Sequence, residues 1–141
     1  MPAMLEFTHH WRVRFVDTDA SGFAHFSSYV KMMEETEYAF LRSRGLSVVW
    51  QDQRGILGFP RVSAKVQIHQ PLRAEQSVEI RLRIVEIDGK QISYDFVLVV
   101  ENGSTAATGT FVVAVCRFLD NQPPYAVLIP ADVEVALLGL L

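Results

Sequence analysis

Residues 17–26, DTDASGFAHF, place two carboxylates, a glycine and a histidine immediately before a predicted helix. The start of a helix carries unpaired N–H groups and about half a positive charge, so it can polarise a carbonyl or hold an oxyanion. A carboxylate a few residues upstream, Asp17 or Asp19, can then attack that carbonyl or deprotonate water. The alternative is that both aspartates only shape the loop, because Asp side chains commonly accept hydrogen bonds from nearby backbone.

Two periodic segments must hold this loop in place. Residues 10–17 alternate between polar and apolar types, which predicts a half-buried strand with one apolar side formed by Trp11, Val13 and Phe15. Over residues 27–44 apolar side chains recur every three or four positions, which predicts an amphipathic helix. Ser27 or Ser28 can cap the start of that helix.

A period of two returns in the second half of the chain and predicts four further strands. They cover residues 62–68, 78–84, 92–98 and 111–116, with Val62 on the apolar side of the first and Arg61 on its polar side. The segment before them, which contains Gly55, Gly58 and Pro60, is predicted as a loop. One amphipathic helix can bury its apolar side only against the concave face of an antiparallel sheet. The predicted fold class is therefore α+β, with one long helix wrapped by a five-stranded antiparallel sheet whose edges favour pairing with a partner subunit.

Length and composition exclude several classes of protein. The 141 residues have the length of one domain, in which residues 121–141 form a tail with a short helix over 130–138. A net charge of −3 without a basic run disfavours nucleic-acid binding, and no apolar run reaches the roughly 20 residues that cross a bilayer. The absence of a visible secretory signal and the single cysteine, Cys116, favour a cytoplasmic location. His9-His10 is too close-set and terminal for a metal site and His69 stands alone, so no metal is expected.

The stretch from Arg12 to Gly22, followed by His25-Phe26-Ser27-Ser28-Tyr29 and Glu34-Glu35, resembles the hotdog-fold acyl-CoA thioesterases of the 4-hydroxybenzoyl-CoA thioesterase type. The resemblance implies that Asp19 is the catalytic carboxylate and that the backbone N–H of Phe26 polarises the thioester carbonyl. Gly22 would allow the turn that points this N–H inward. Many relatives carry histidine at the position of Phe26, and His25 lies beside it, where it could orient water or the acyl group or simply pack.

The implied activity is hydrolysis of an acyl-CoA thioester to free acid and coenzyme A, with Asp19 as nucleophile or general base. No cofactor is implied, since coenzyme A is part of the substrate. Two alternatives remain at this point: a hotdog hydratase or dehydratase acting on an acyl thioester through His25, and a non-catalytic module that binds acyl thioesters.

The resemblance also implies residues that contact substrate. Lys90, after the Asp88-Gly89 turn, aligns with a basic loop that contacts the nucleotide phosphates of coenzyme A, and Arg61 is a second candidate for that role. The acyl pocket would be lined by Phe23, Phe26, Tyr29 and Phe59. A homodimer at minimum is expected, and a homotetramer from the habit of the family.

Overall fold

A curved antiparallel sheet encloses one long helix in the computed structural model, which describes residues 6–139. Along the chain the strands and helices are β1 (Phe7–Arg12), α1 (Phe26–Ser43), β2 (Val49–Asp52), β3 (Gly55–Gly58), β4 (Arg61–Ile68), β5 (Ser77–Asp88), β6 (Gln91–Val100), β7 (Thr105–Ala114), β8 (Cys116–Phe118), β9 (Tyr125–Ala126) and α2 (Ala131–Leu137). The main sheet has the order β1-β5-β6-β7-β4, and a smaller sheet has the order β2-β3-β8-β9. The predicted α+β class is confirmed.

The core lies between α1 and the concave face of the main sheet. The buried side of the helix is the one that the sequence periodicity predicts, formed by Tyr29, Met32, Met33, Thr36 and Phe40. Alternate residues of β5, β6 and β7 face it, among them Ile80, Leu82, Tyr94, Phe96 and Phe111. Each of these large apolar side chains contributes about 1.5–3 kcal/mol by leaving water, so the helix is held mainly by this packing.

Strand β4 departs from the predicted alternation because of a β-bulge. Arg61 pairs with Val113 and Ser63 with Val112, so Val62 is an extra residue without its own partner. The bulge turns Arg61 toward the helix and leaves Val62 exposed, which is the reverse of the sequence prediction. A regular period of two cannot anticipate such a shift of register.

The predicted first strand and the loop after α1 also need correction. Strand β1 ends at Arg12, and a short 3₁₀ turn over Phe15–Asp17 follows, so Phe15 is exposed rather than buried. The predicted loop before β4 instead contains the β2–β3 hairpin over residues 49–58. The terminal helix α2 spans Ala131–Leu137, within the range expected for it. None of the helices within residues 6–139 is long and apolar enough to cross a membrane.

Candidate active site

Asp17 connects the end of β1 to the start of α1. Its buried carboxylate accepts hydrogen bonds from the Arg14 backbone N–H (2.8 Å), the Trp11 indole N–H (3.1 Å) and the Arg14 guanidinium (3.3 Å). Burial opposes ionisation, but these hydrogen bonds outweigh it and hold the pKa of Asp17 below its ordinary value. The Asp17 backbone oxygen accepts from the His25 N–H and the Ser28 hydroxyl, both at 2.7 Å. Because both carboxylate oxygens are occupied, Asp17 shapes the loop.

Asp19 has one occupied and one free carboxylate oxygen. Its Oδ1 accepts from the Ser21 N–H (2.8 Å) and the Ser21 hydroxyl (2.5 Å). No group within residues 6–139 donates to its Oδ2. The side chain is exposed, and the hydrogen bonds from Ser21 hold the pKa of Asp19 below its ordinary value, so the carboxylate is ionised at neutral pH. An ionised carboxylate with a free oxygen can attack a carbonyl or accept a proton from water.

A tight turn presents Asp19 beside the helix. The Gly22 N–H donates to the Asp19 backbone oxygen (3.0 Å), and Gly22 has φ +84°, a conformation that favours glycine. The turn is anchored by Phe23, which pairs with Arg73, and by the Ala24 N–H, which donates to the Leu72 oxygen (2.7 Å). The loop over residues 13–25, called here the carboxylate loop, is therefore docked against the segment that leads into β5.

The Phe26 N–H is free at the first turn of α1. His25 is the N-cap: its Nδ1 accepts from the Ser27 N–H at 3.1 Å, which corrects the prediction of a serine cap. The Ser28 N–H donates to the His25 oxygen (2.8 Å). The Phe26 N–H has no acceptor within the described residues. A free N–H at a helix N-terminus can bind a carbonyl oxygen that gains negative charge.

Two open clefts flank the carboxylate loop. One, of about 730 Å³, is bordered by Phe23, Arg73 and the turn between β6 and β7. The other, of about 550 Å³, is bordered by Arg14, His25 and Lys31. Asp19 lines neither cleft, and among the described residues its side chain is exposed to water.

The predicted acyl-pocket residues have different surroundings. Phe23 is half-buried beneath the Arg73 guanidinium, and Phe26 is exposed at the start of α1. Tyr29 and Phe59 are packed into the core, at 1% and 3% exposure, and neither borders either of these two clefts. The Tyr29 hydroxyl accepts from the Leu72 N–H at 3.2 Å, so it fastens the helix to the segment against which the loop is docked.

The two predicted phosphate contacts lie far from Asp19 in the same chain. Arg61 is turned inward, with ion pairs to Glu37 (2.5 Å) and Glu34 (3.4 Å). Lys90 is exposed at the β5–β6 turn, whereas the carboxylate loop lies at the other end of β5, where Arg12 pairs with Ser77. At about 3.3 Å per residue, the 12 residues of β5 separate these ends by roughly 35–40 Å.

Sequence reasoning missed two features of the site region. Ser21 holds one oxygen of Asp19, which a serine two residues after an aspartate could have signalled. Glu37 is buried on α1 against Arg61 and Tyr94, and burial raises its pKa to about 7 despite the neighbouring Arg61. No local signal distinguishes Glu37 from the half-buried Glu34 and Glu35 of the same helix, because its partners come from β4 and β6. Within the described part of the chain, no three His, Cys, Asp or Glu side chains are grouped as metal ligands.

Comparisons with known proteins define the class. The model of the thioesterase-like superfamily matches residues 13–137. A gentisyl-coenzyme A thioesterase structure is 28% identical and covers 93% of this chain and 99% of its own, with a TM-score of 0.78. The 1,4-dihydroxy-2-naphthoyl-CoA thioesterase from Synechocystis is 20% identical over 94% of this chain and 95% of its own, with a TM-score of 0.81, and shows the same fold. A protein of Aquifex aeolicus (strain VF5) with a provisional esterase name is 27% identical over 75% of this chain and 82% of its own length.

The fold and the matched family together give a hotdog-fold enzyme of the thioester hydrolase class. The chain belongs to the thioesterase-like superfamily. The family match confirms the resemblance to the 4-hydroxybenzoyl-CoA thioesterase type. A 4-hydroxybenzoyl-CoA thioesterase bound to 4-hydroxybenzoyl-CoA, 14% identical over 93% of this chain and 97% of its own with a TM-score of 0.80, shows the same fold.

Proposed function

We propose that this protein hydrolyses acyl-CoA thioesters to the free acid and coenzyme A. One observation carries the proposal: a free carboxylate oxygen on Asp19 and a free N–H on Phe26 belong to the same short, internally bonded segment. The hydrogen bond from the His25 N–H to the Asp17 oxygen holds the two ends of this segment together. Such a segment offers a nucleophile or base and an oxyanion donor without further groups.

The proposed reaction assigns one task to each group. The Phe26 N–H donates to the thioester oxygen, and a donor of this kind is typically worth on the order of 3–4 kcal/mol in the transition state. Ionised Asp19 either attacks the carbonyl carbon, giving a mixed anhydride that water cleaves, or removes a proton from the attacking water. The C–S bond breaks and coenzyme A leaves as its thiolate. His25 keeps the helix start in place through its cap.

Aromatic acyl groups are the first substrates to test. The gentisyl, 1,4-dihydroxy-2-naphthoyl and 4-hydroxybenzoyl thioesters named for three similar structures all carry an aromatic ring on the carbonyl. Phe23 lies between Asp19 and exposed Phe26 in the sequence, and we propose that these two aromatic side chains contact such a ring.

The proposed active unit is a homodimer that pairs through β4. This strand is an edge of the main sheet, and its middle residues 62–65 are exposed on both faces. An edge strand with free N–H and C=O groups can pair with the same strand of a second copy. A partner there would also cover Val62 and Ala64. The homotetramer remains a prediction that rests on the oligomeric state common in the family.

The test is release of free thiol from a panel of short, medium, long and aromatic acyl-CoA substrates. The Asp19→Asn variant should lose most turnover on the best substrate and keep its melting temperature, since the change is nearly isosteric and removes only the charge. Asp120→Asn, at an exposed turn outside the site, is the matched control and should keep full activity.

Three outcomes would contradict the proposal. Wild-type thiol release by Asp19→Asn would remove Asp19 from the reaction. A change in acyl unsaturation without thiol release would point to the hydratase alternative, and tight binding without turnover over the whole panel would point to the binding module.

A further inference from the structure

The carboxylate of Asp19 is held by a short chain of hydrogen bonds that runs through Ser21. The Phe23 N–H donates to the Ser21 Oγ at 3.2 Å, and the Ser21 hydroxyl donates to Asp19 Oδ1 at 2.5 Å. Because the ionised Asp19 carboxylate can only accept, the Ser21 hydrogen is directed toward Oδ1 while Oγ accepts from Phe23. The Ser21 N–H donates to the same oxygen at 2.8 Å, so two donors converge on Oδ1 and none within residues 6–139 reaches Oδ2.

We propose that Ser21 is a positioning residue that fixes the Asp19 carboxylate through Oδ1 and leaves Oδ2 as the single reacting oxygen. The inference rests on the proposed function, since it assumes that Asp19 reacts. Two donors to one oxygen remove most of the freedom of an exposed side chain that would otherwise rotate about χ1 and χ2. A fixed carboxylate gives a larger fraction of productive encounters, because loss of orientation can cost large factors in rate.

Ser21 also acts on the ionisation of Asp19. A hydroxyl that donates to the carboxylate stabilises its charged form, and this is the main cause of the lowered pKa of Asp19. The same hydrogen bond therefore keeps the reactive form populated in mildly acidic solution. It also weakens the basicity of Oδ1 more than that of Oδ2, because the proton donor is bound to Oδ1.

The test compares Ser21→Ala, Ser21→Thr and wild type in the full-length protein. Ser21→Ala should lower kcat by roughly tenfold through lost orientation, with KM nearly unchanged. The acidic limb of its pH–kcat/KM profile should move to higher pH, because Asp19 protonates more readily. Ser21→Thr keeps a hydroxyl on the same carbon and should restore both the rate and the position of the limb.

Ser104 offers a matched control in the same chain. At the β6–β7 turn its N–H and hydroxyl both donate to Asn102 Oδ1, at 2.8 and 2.6 Å, as those of Ser21 donate to Asp19 Oδ1, and its Oγ also lies 3.3 Å from Gln70 Oε1. Ser104→Ala removes an equivalent hydroxyl and should leave the pH profile where it is in the wild type. If the acidic limb shifted in both alanine variants, the cause would be a general loosening of the protein rather than the lost Ser21 hydrogen bond, and the role of Ser21 would be overturned.

Direct titration separates this inference from the proposed function. The ¹³C signal of the Asp19 carboxyl should titrate at higher pH in Ser21→Ala than in wild type, whether or not substrate is present. If Asp19→Asn is inactive and Ser21→Ala shows neither the carboxyl shift nor the change in kcat, the role of Ser21 is refuted and the proposed function stands. If Asp19→Asn keeps its turnover, the role of Asp19 is refuted, and the assignment of Oδ2 with it, whereas absence of thiol release by the wild type over the whole panel would refute the proposed function.

Discussion

At the residue scale, two aspartates separated by one threonine have opposite roles. Asp17 is buried, and both of its carboxylate oxygens accept hydrogen bonds from Trp11 or Arg14, whereas Asp19 is exposed and keeps one oxygen free. The pKa of each carboxyl is lowered, so ionisation does not distinguish them. What distinguishes them is whether a carboxylate oxygen is free. Asp17 therefore shapes the loop, and Asp19 is the group that we propose reacts.

Gly22 is predicted to be required for its backbone conformation. It has φ +84°, and no atom of residues 6–139 lies within 4 Å of where its Cβ would be, so space within this part of the chain is not the constraint. Gly22→Ala should lower the free energy of unfolding by about 1–2 kcal/mol, because L-residues pay this cost in the left-handed region. Gly22→Val should be worse in stability and in thiol release, since its branched Cβ is stiffer, and Gly22→Asn should be milder.

Denaturant unfolding and thiol release on the three Gly22 variants check this order. Equal activity of well-folded Gly22→Ala and Gly22→Val would show that the backbone conformation at this position does not matter for the reaction.

Glu37 is predicted to make stability depend on pH. Its folded pKa is raised from 4.5 to about 7, so the folded state favours the protonated form. The stabilisation is fully present below pH 4.5 and is lost as the pH rises through about 7, with a total on the order of 3 kcal/mol. Glu37→Gln cannot titrate, so the free energy of unfolding of the wild type relative to this variant should fall across that range.

The measurement is denaturant unfolding of both proteins from pH 4.5 to 8 at one protein concentration. Exposed Glu86→Gln is the control and should follow the wild-type curve. Parallel curves for wild type and Glu37→Gln would contradict a raised pKa for Glu37.

At the element scale, α1 supplies both the core and the site. Its buried side chains fasten it to the sheet, and its first turn presents the free Phe26 N–H. The Tyr29 hydroxyl bonds the helix to Leu72, and the Ala24 N–H bonds the carboxylate loop to the same residue. Packing of the helix therefore determines where the oxyanion donor lies relative to Asp19.

Gly109 on β7 is predicted to permit the close approach of α1 to the sheet. A Cβ at this position would lie 2.5 Å from Met33 Cε and 3.0 Å from the Lys65 backbone oxygen. Gly109→Ala should cost about 1–3 kcal/mol, because Met33 is fully buried and has little room to move. Adding Met33→Ala should recover part of this loss. The double variant should therefore lose less free energy of unfolding than the two single variants lose together.

Unfolding free energies of the wild type, the two single variants and the double variant give the coupling free energy between Gly109 and Met33. Strictly additive losses would show that the methionine and the glycine do not share this contact.

At the scale of the whole molecule, Asp19 and Lys90 lie at opposite ends of the main sheet. β4 runs from Arg61, near the Lys90 turn, to Ile68, near the carboxylate loop. If β4 pairs antiparallel with its copy about a two-fold axis, the Lys90 end of one subunit meets the Asp19 end of the other. The proposed dimer thus brings together groups that one chain keeps apart.

Lys90 is predicted to serve the active site of the partner. Lys90→Ala should raise KM for acyl-CoA several-fold and leave kcat nearly unchanged, with a smaller effect at high salt, because exposed ion pairs are weak and screened. A mixed dimer of Asp19→Asn and Lys90→Ala subunits should retain one complete site, composed of Asp19 from one chain and Lys90 from the other. Its KM should therefore equal that of the wild type.

Tagged subunits that are co-expressed and purified through both tags allow the measurement on the mixed dimer alone. A raised KM in that species would place Lys90 and Asp19 of one chain at the same site. Full activity of a stable monomer in sedimentation would refute the shared site altogether.

Local features of the sequence were enough to predict the order of the main elements and the buried side of α1. The strands β5 and β6 followed from alternation over residues 78–84 and 92–98, and the turn at Asp88-Gly89 from its residue types. The position of the carboxylate loop also followed, because strand and helix periodicities bracket it. These features depend on neighbours within a few positions, where side-chain spacing and turn chemistry dominate.

Contacts between distant residues decided the rest. The bulge that turns Arg61 inward arises from pairing with β7, and the burial of Glu37 requires β4 and β6 to meet α1. The same holds for the β2–β3 hairpin, which is completed by β8 from residue 116 onward. The sequence by itself determined which residues can react, whereas only the tertiary structure decided which oxygen and which N–H remain free, because each hydrogen-bonding group is satisfied by whatever partner folding brings to it.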